Sequence, residues 1–350
     1  MNRIQHVFYA LCIWSLVWNA GGVAAGAEGG RHFVPVEKAE LEKLAAPGGE
    51  LEGLITTLEQ TVPQKDVSMF ARFVQQDWML DEITRPLKGL IYRPSTEIEE
   101  AFRTGTKQSW QQHSLAEEYL GQHFRFLRIH TVGGHTGLLF RAAGENGRLN
   151  FCLFPMGRGK DGRLAAYDIY VVGVGELVSD TLRRGYLQLV QSLHPSGESG
   201  RRAGLYVEAL PRVIEVNAAR AARQHERVLS LSRLLPEAIR QERTLMLIRL
   251  EAAESVSWNE RSQAFEEWRR FHPNPMQLPF KWADYEIASG RFKEAAEVLR
   301  QLNEVVGGDT YVMARLGEAQ MLARYQAKGA FIGGLPKNGA EVGSGLGGAR

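Results

Sequence analysis

The stretch Y-D-I-Y-V-V-G-V-G-E-L-V-S-D-T-L-R-R, Tyr167 to Arg184, reads as a strand that passes through glycines into a helix. A dinucleotide-binding loop is built this way, but it needs G-x-G-x-x-G, the third glycine letting the helix pack close on the strand. Gly173 and Gly175 fit the pattern, and Val178 stands in the third place. The strand also closes a series of hairpins and does not open a βαβ unit. The glycines therefore read as a bulge or bend where the last strand leaves a sheet. This removes the doubly wound α/β fold and leaves an α+β arrangement.

Upstream lie three more short runs rich in aromatic and β-branched residues: H-F-R-F-L-R-I-H from His123, G-L-L-F-R-A from Gly137 and R-L-N-F-C-L-F-P from Arg148. The fourth, L-A-A-Y-D-I-Y-V-V, starts at Leu164. V-G-G-H-T, G-E-N-G and M-G-R-G-K-D-G separate them as glycine-bearing turns. Four strands with hairpin-length links predict a curved antiparallel meander. Before it, residues 36–120 read as helices broken by P-G-G at Pro47 and by Pro63, Pro86 and Pro94. Val67, Phe70, Val74 and Trp78 form one apolar helical stripe, and Thr96 with Glu99 forms a capping box. The expected α+β domain spans 36–193, with its sheet burying one face on the helices and a helix running from Glu176 to Leu193. H-P-S-G-E-S-G-R-R, residues 194–202, reads as a polar linker.

Bulk properties limit the function. The 350-residue chain is 44% apolar and 23% charged, with net charge +2 and both signs interspersed, which excludes a nucleic-acid-binding basic field. Arg3, an apolar run from Val7 to Trp18 and the small-residue stretch N-A-G-G-V-A-A-G-A read as a signal peptide, residues 1–27. Cleavage after Ala25 or Ala27 fits, and the run is shorter than the ~20 residues of a spanning helix. The expected location is secreted or periplasmic, without stable membrane insertion after cleavage; a membrane anchor is the alternative. Cys152 is then the only cysteine of the mature chain, so no disulfide framework is expected.

The C-terminal half, residues 203–327, reads as helical with a 34-residue period. Ile214, Ile248, Trp282 and Leu316 share one phase; Leu231, Phe265 and Leu299 a second; Leu234, Trp268 and Leu302 a third. A helix–turn–helix period of 34 is that of the tetratricopeptide repeat. W-A-D-Y-E-I-A-S-G-R-F-K-E-A-A-E-V-L-R-Q-L, from Trp282, resembles that family through Gly290, Phe292 and Ala295, with Pro273 where a second helix ends. Arg261 departs from the small-residue position, and Gln224 and Gln326 from the aromatic one. From Gly329 onward 8 of 22 residues are glycine, so 328–350 reads as a disordered tail and the helix after Asp309 as the cap of the array. By element order alone, the N-terminal half resembles cystatin-like or nuclear-transport-factor-2-like domains.

Chemical motifs are weak. His123, His130 and His135 flank a glycine turn without a carboxylate or cysteine to complete a zinc set. G-R-G-K-D-G (Gly157–Gly162) lacks the phosphate-loop residues, because Asp161 and Phe154 stand in their places, and Ser179 and Ser199 lack a nucleophile elbow. No catalytic residue, metal or cofactor is assigned. The transport-factor resemblance implies a cavity with a general-base carboxylate, for which Asp168, Tyr170 and His130 are the candidates. Strand alternation instead turns Tyr167, Ile169 and Val171 inward and Asp168 and Tyr170 outward. The tetratricopeptide resemblance implies a groove lined by first helices, carrying Arg212, Arg220, Arg243, Asp284, Tyr311 and Glu318. The expected function is a secreted, non-enzymatic scaffold or adaptor that binds a protein or peptide through that groove. The alternatives are a small-molecule binder or enzyme using the α+β cavity, and a structural envelope component.

Overall fold

The computed structural model describes residues 33–64, 73–85, 96–112, 123–143, 149–193 and 197–328. The signal-like segment, the glycine-rich tail after residue 328, and Val67 and Phe70 of the expected stripe lie outside the described residues. The chain divides into two compact units, residues 1–210 and 211–350. The first holds helices and an antiparallel sheet, and the second is all helical. Among the described residues no helix is long and apolar enough to cross a membrane.

In the first unit, β1 (Phe33–Pro35), α1 (Lys38–Leu44), α2 (Glu50–Thr61), α3 (Gln76–Thr84) and α4 (Thr96–Gln112) precede the sheet. Then come β2 (His123–Val132), β3 (His135–Ala143), β4 (Leu149–Gly159), β5 (Leu164–Ala166), β6 (Tyr170–Val171), β7 (Glu176–Leu177) and α5 (Val178–Leu193). The β2–β3 hairpin turns on Gly133 (φ 59°) and Gly134 (φ 80°), the left-handed pair that a two-residue hairpin requires. A side chain at Gly133 would also meet the Tyr170 ring at 2.7 Å.

Among the described residues the sheet has seven strands instead of the expected four, and β4 is its organiser. β3 and β1 pair along β4 at residues 149–155 and 157–159 respectively, and β5 and β6 pair with it at 156–158 and 152–153. The expected fourth strand is split. Ala166 stands opposite Met156 and Tyr170 opposite Leu153, so three residues, Tyr167–Ile169, face two, Phe154 and Pro155. This is a β-bulge, and it lies across from a proline that has no N–H to give the ladder. Glu176 and Leu177, expected to open the helix, instead pair with β6.

The sheet buries both faces. Phe124, Phe140 and Phe154 pack as a stacked and edge-on group on one side, with Phe73 against Phe154. Leu139, Leu153 and Phe151 are buried on the other. The expectation of one buried face fails because β3 and β4 carry continuous apolar runs, the pattern of a strand covered twice. Burying each such side chain contributes about 1.5–3 kcal/mol. The stripe expected through Val74 also breaks. Val74 bridges Ala166, Gln75 donates its N–H to the Ala166 carbonyl at 2.9 Å, and α3 begins only at Gln76. Arg183 of α5 then donates to the carbonyls of Glu82, Ile83 and Arg85, satisfying the open C-terminus of α3.

The helices that follow are α6 (Gly197–Ala221), α7 (His225–Arg233), α8 (Glu237–Arg240), α9 (Arg243–Val256), α10 (Trp258–Phe271), α11 (Pro279–Ala288), α12 (Phe292–Val305) and α13 (Thr310–Ala327). Residues 197–202, expected as linker, belong to α6, and the division between units falls at Pro211 inside that helix. Glycine and serine weaken a helix by only about 1 kcal/mol each, so a long helix extends through them. Ser257 caps α10 through Glu260 N–H, and Asp309 caps α13 through Tyr311 and Val312 N–H.

The 34-residue phase marks core positions in α9–α12. Ile248 and Trp282, Phe265 and Leu299, and Trp268 and Leu302 are all buried. It fails on both sides of this stretch: Ile214 is 46% and Leu234 60% exposed, Leu231 and Leu316 are only half-buried, and Val213, Val216, Val228 and Leu235 take the interior instead. In α7 the cause is Pro236. It excludes helix at the residue before it, ends α7 early and introduces the one-turn α8.

Candidate partner-binding face

α6, α9, α11 and α13 are each tied to the next in that order by side-chain ion pairs. Arg220 on α6 meets Glu251 on α9 at 3.2 Å, and Glu254 on α9 meets Lys281 on α11 at 2.5 Å. Asp284 on α11 then pairs with Arg315 on α13, which also faces Glu318 at 3.4 Å. Lys281 and Arg315 are 34 residues apart, as are Asp284 and Glu318. Each pair is partly exposed and contributes ~0–1 kcal/mol, which fixes the order of the helices more than their stability.

The structure sorts the six residues assigned to this face by sequence. Asp284, Tyr311 and Glu318 come together at the α11–α13 end, where Tyr311 is exposed and lies edge-on to Phe280 at 6.1 Å. Arg220 is held by Glu251. Arg212 is exposed and donates to the Leu234 carbonyl at 3.1 Å, closing the end of α7.

Arg243 is not on the face. It is 1% exposed, its guanidinium sits 5.4 Å from the Trp268 ring, and its Nη2 faces the Gln277 carbonyl at 3.5 Å. The 3-10 turn Pro275–Gln277 makes this contact from 34 residues downstream, and the arginine stem packs as an apolar side chain. Burial and the Arg243 charge push neighbouring His272 down to about 4, so that imidazole is neutral at physiological pH.

The residues missed from sequence are apolar. Met313, Met321 and Tyr325 are exposed with Tyr311, placing four large apolar side chains in the solvent on α13 alone. The signal was available, because α13 distributes apolar residues around its whole circumference instead of along one stripe.

In the first unit, Asp168 lies in the β5–β6 bulge and is 1% exposed. The expectation that it faces outward is wrong, because the extra bulge residue resets the alternation. Its Oδ1 accepts the N–H of Ile169 at 2.7 Å and of Ser179, in the first turn of α5, at 3.2 Å. Burial pushes the carboxyl up to about 7, against the lowering effect of hydrogen bonds from the Ser179 side chain and from these two N–H groups, and with a smaller upward push from Asp180. The group anchors α5 to the sheet, and in this arrangement it is sealed from bound molecules.

Tyr170 is half-buried, and burial and then Glu176 push its hydroxyl pKa upward. Its ring lies 5.7 Å from that of His135, and Glu176 accepts from Thr181 Oγ1 and Arg184 Nη2, both at 2.6 Å. His130 is on β2 opposite Gly137, seven residues from His123, which is about 20 Å along a strand. No group of three or more histidine, cysteine or acidic side chains that could hold a metal occurs among the described residues. Cys152 is buried in β4, and burial pushes its thiol up to about 12. No family model, curated protein or solved structure matches the chain.

Proposed function

We propose that the protein is an exported, non-enzymatic scaffold whose helical unit binds a protein or peptide. The observation that carries this reading is the concentration of exposed Tyr311, Met313, Met321 and Tyr325 on α13, the last described helix. Met313, Met321 and Tyr325 lie within about a third of the helix circumference, exposed apolar side chains so placed mark interaction surfaces, and methionine adapts to varied partners. The ion-paired first helices hold this helix at a fixed place in the array. The 34-residue phase in α9–α12 supports a degenerate tetratricopeptide-like array, and the sequence before Glu28 supports export to a periplasmic or extracellular compartment.

The test is a pull-down from cell-envelope extract with wild type and the double variant Tyr311→Ala/Met313→Glu. Both residues are exposed, so the variant is expected to fold and to lose the captured proteins. Asp168→Asn, in the other unit, should capture the same set. Unchanged capture by the double variant would remove α13 from the binding surface.

A further inference from the structure

α10 follows α9, and α12 follows α11, as the second helix of a pair, but among the described residues α13 has no such companion. α13 has 18 residues against 10 in α11, and Gln326 at its far end donates to the Gly290 carbonyl at 3.0 Å. Its far end therefore lies level with the turn where α11 gives way to α12. Beside it, an open groove of about 380 Å³ runs between α12 and α13, lined by Lys293, Ala296, Glu297 and Arg300 on one wall and Gln320, Ala323 and Arg324 on the other.

The groove carries an uncompensated positive charge. Glu297 is tied to Arg300 and Gln301, which hold its carboxyl down to about 2, and Arg300 also bonds Glu304. Lys293 and Arg324, on opposite walls, pair with no carboxylate among the described residues. Ala296 and Ala323 keep the walls low enough for a helix to approach, since packed helix axes lie about 8–10 Å apart. Met313 is seven residues, two helical turns, before Gln320 on the same side of α13, so it adds apolar area to that side.

We propose that this groove seats an acidic amphipathic helix of a partner protein, which would extend the array by one helix. The proposal rests on the binding-module reading and names its partner's chemistry. Acidic side chains would meet Lys293 and Arg324, and small apolar ones would lie on Ala296 and Ala323. Residues 329–350 fit poorly as the occupant: 8 of 22 are glycine, and Lys337 and Arg350 outweigh Glu341.

The experiment uses the full chain and a fluorescent 18-residue helical peptide with glutamate and alanine on one face, read by anisotropy. A lysine-for-glutamate peptide and inorganic polyphosphate are the comparison probes. The acidic peptide should bind wild type at least tenfold more tightly than the lysine peptide or polyphosphate. Lys293→Glu/Arg324→Glu should reverse that preference, with an unchanged thermal melt. No binding of the acidic peptide, binding indifferent to the reversal, or preference for polyphosphate would overturn the assignment. If it fails while Tyr311→Ala/Met313→Glu still abolishes capture from extract, the groove is wrong and the binding module stands. If both fail, the module falls as well.

Discussion

Replacing Asp168 by asparagine should stabilise the protein at alkaline pH and leave it almost unchanged in acid. The folded state holds this carboxyl near 7 against an ordinary value of 3.8 because burial penalises the charged form. A raised carboxyl pKa means that the folded chain keeps a proton that the unfolded chain loses. Stability from this group is therefore full below pH 4, falls as pH rises from about 4 to 7, and then levels off. At about 1.4 kcal/mol per pKa step, the interval from 3.8 to about 7 corresponds to roughly 4 kcal/mol. Asparagine keeps an oxygen for the Ile169 and Ser179 N–H groups, and it carries no charge at any pH. It gives up a favourable charge at the start of α5, about 0.3–1 kcal/mol. The expected net gain at pH 8 is about 3 kcal/mol, shrinking to within 1 kcal/mol at pH 4. Urea unfolding of wild type and variant across pH 4–8.5, followed by far-ultraviolet circular dichroism, measures the difference. A pH-independent difference, or a variant less stable at pH 8, would show that the fold holds Asp168 ionised as a helix anchor and would refute the reasoning.

Three further outcomes are expected. Trp282→Ala should cost about 3–5 kcal/mol, because the indole fills the space between Phe265 and Arg269 in a buried site; a thermal melt identical to wild type would contradict this. Arg243→Glu should destabilise the helical unit by several kcal/mol instead of selectively weakening binding, since it places an acid in an enclosed site; a folded variant with lowered partner affinity would return Arg243 to the surface. His272 has a folded pKa lowered from 6.5 to about 4, so its contribution is full above pH 6.5 and is lost as pH falls toward 4. His272→Phe should flatten that part of the stability profile relative to wild type in acid urea titrations, and an unaltered slope would place the ring in solvent.

What the sequence reveals depends on how local the cause is. The β2–β3 hairpin is written in Gly133–Gly134 and the strands around it, and in α9–α12 the large apolar residues Phe265, Trp268 and Trp282, singled out from sequence, are core residues. The position of Asp168 is not local. Its bulge answers Pro155 on another strand, and one added residue inverts every inference from alternation. Arg243 is likewise buried by a turn 34 residues away, where a charged residue opening a helix otherwise reads as surface. The slip at Ile214 and Leu234 was within reach, because Pro236 announces a broken helix. The apolar surface of α13 is equally legible, because its apolar residues leave it no separate polar face.

The central claim is that the helical unit, through α13, is the surface that meets a partner. Site-specific photo-crosslinking tests it most directly, with a benzophenone amino acid at Met313, at Met321 and, as control, at Val34. Val34 is 71% exposed and apolar but belongs to the other unit, so exposure alone predicts crosslinking there too. In cells expressing the full chain, irradiation should give a discrete crosslinked species from positions 313 and 321 and none from 34. Crosslinks from position 34 with none from α13 would contradict the account and move the binding surface to the α+β unit.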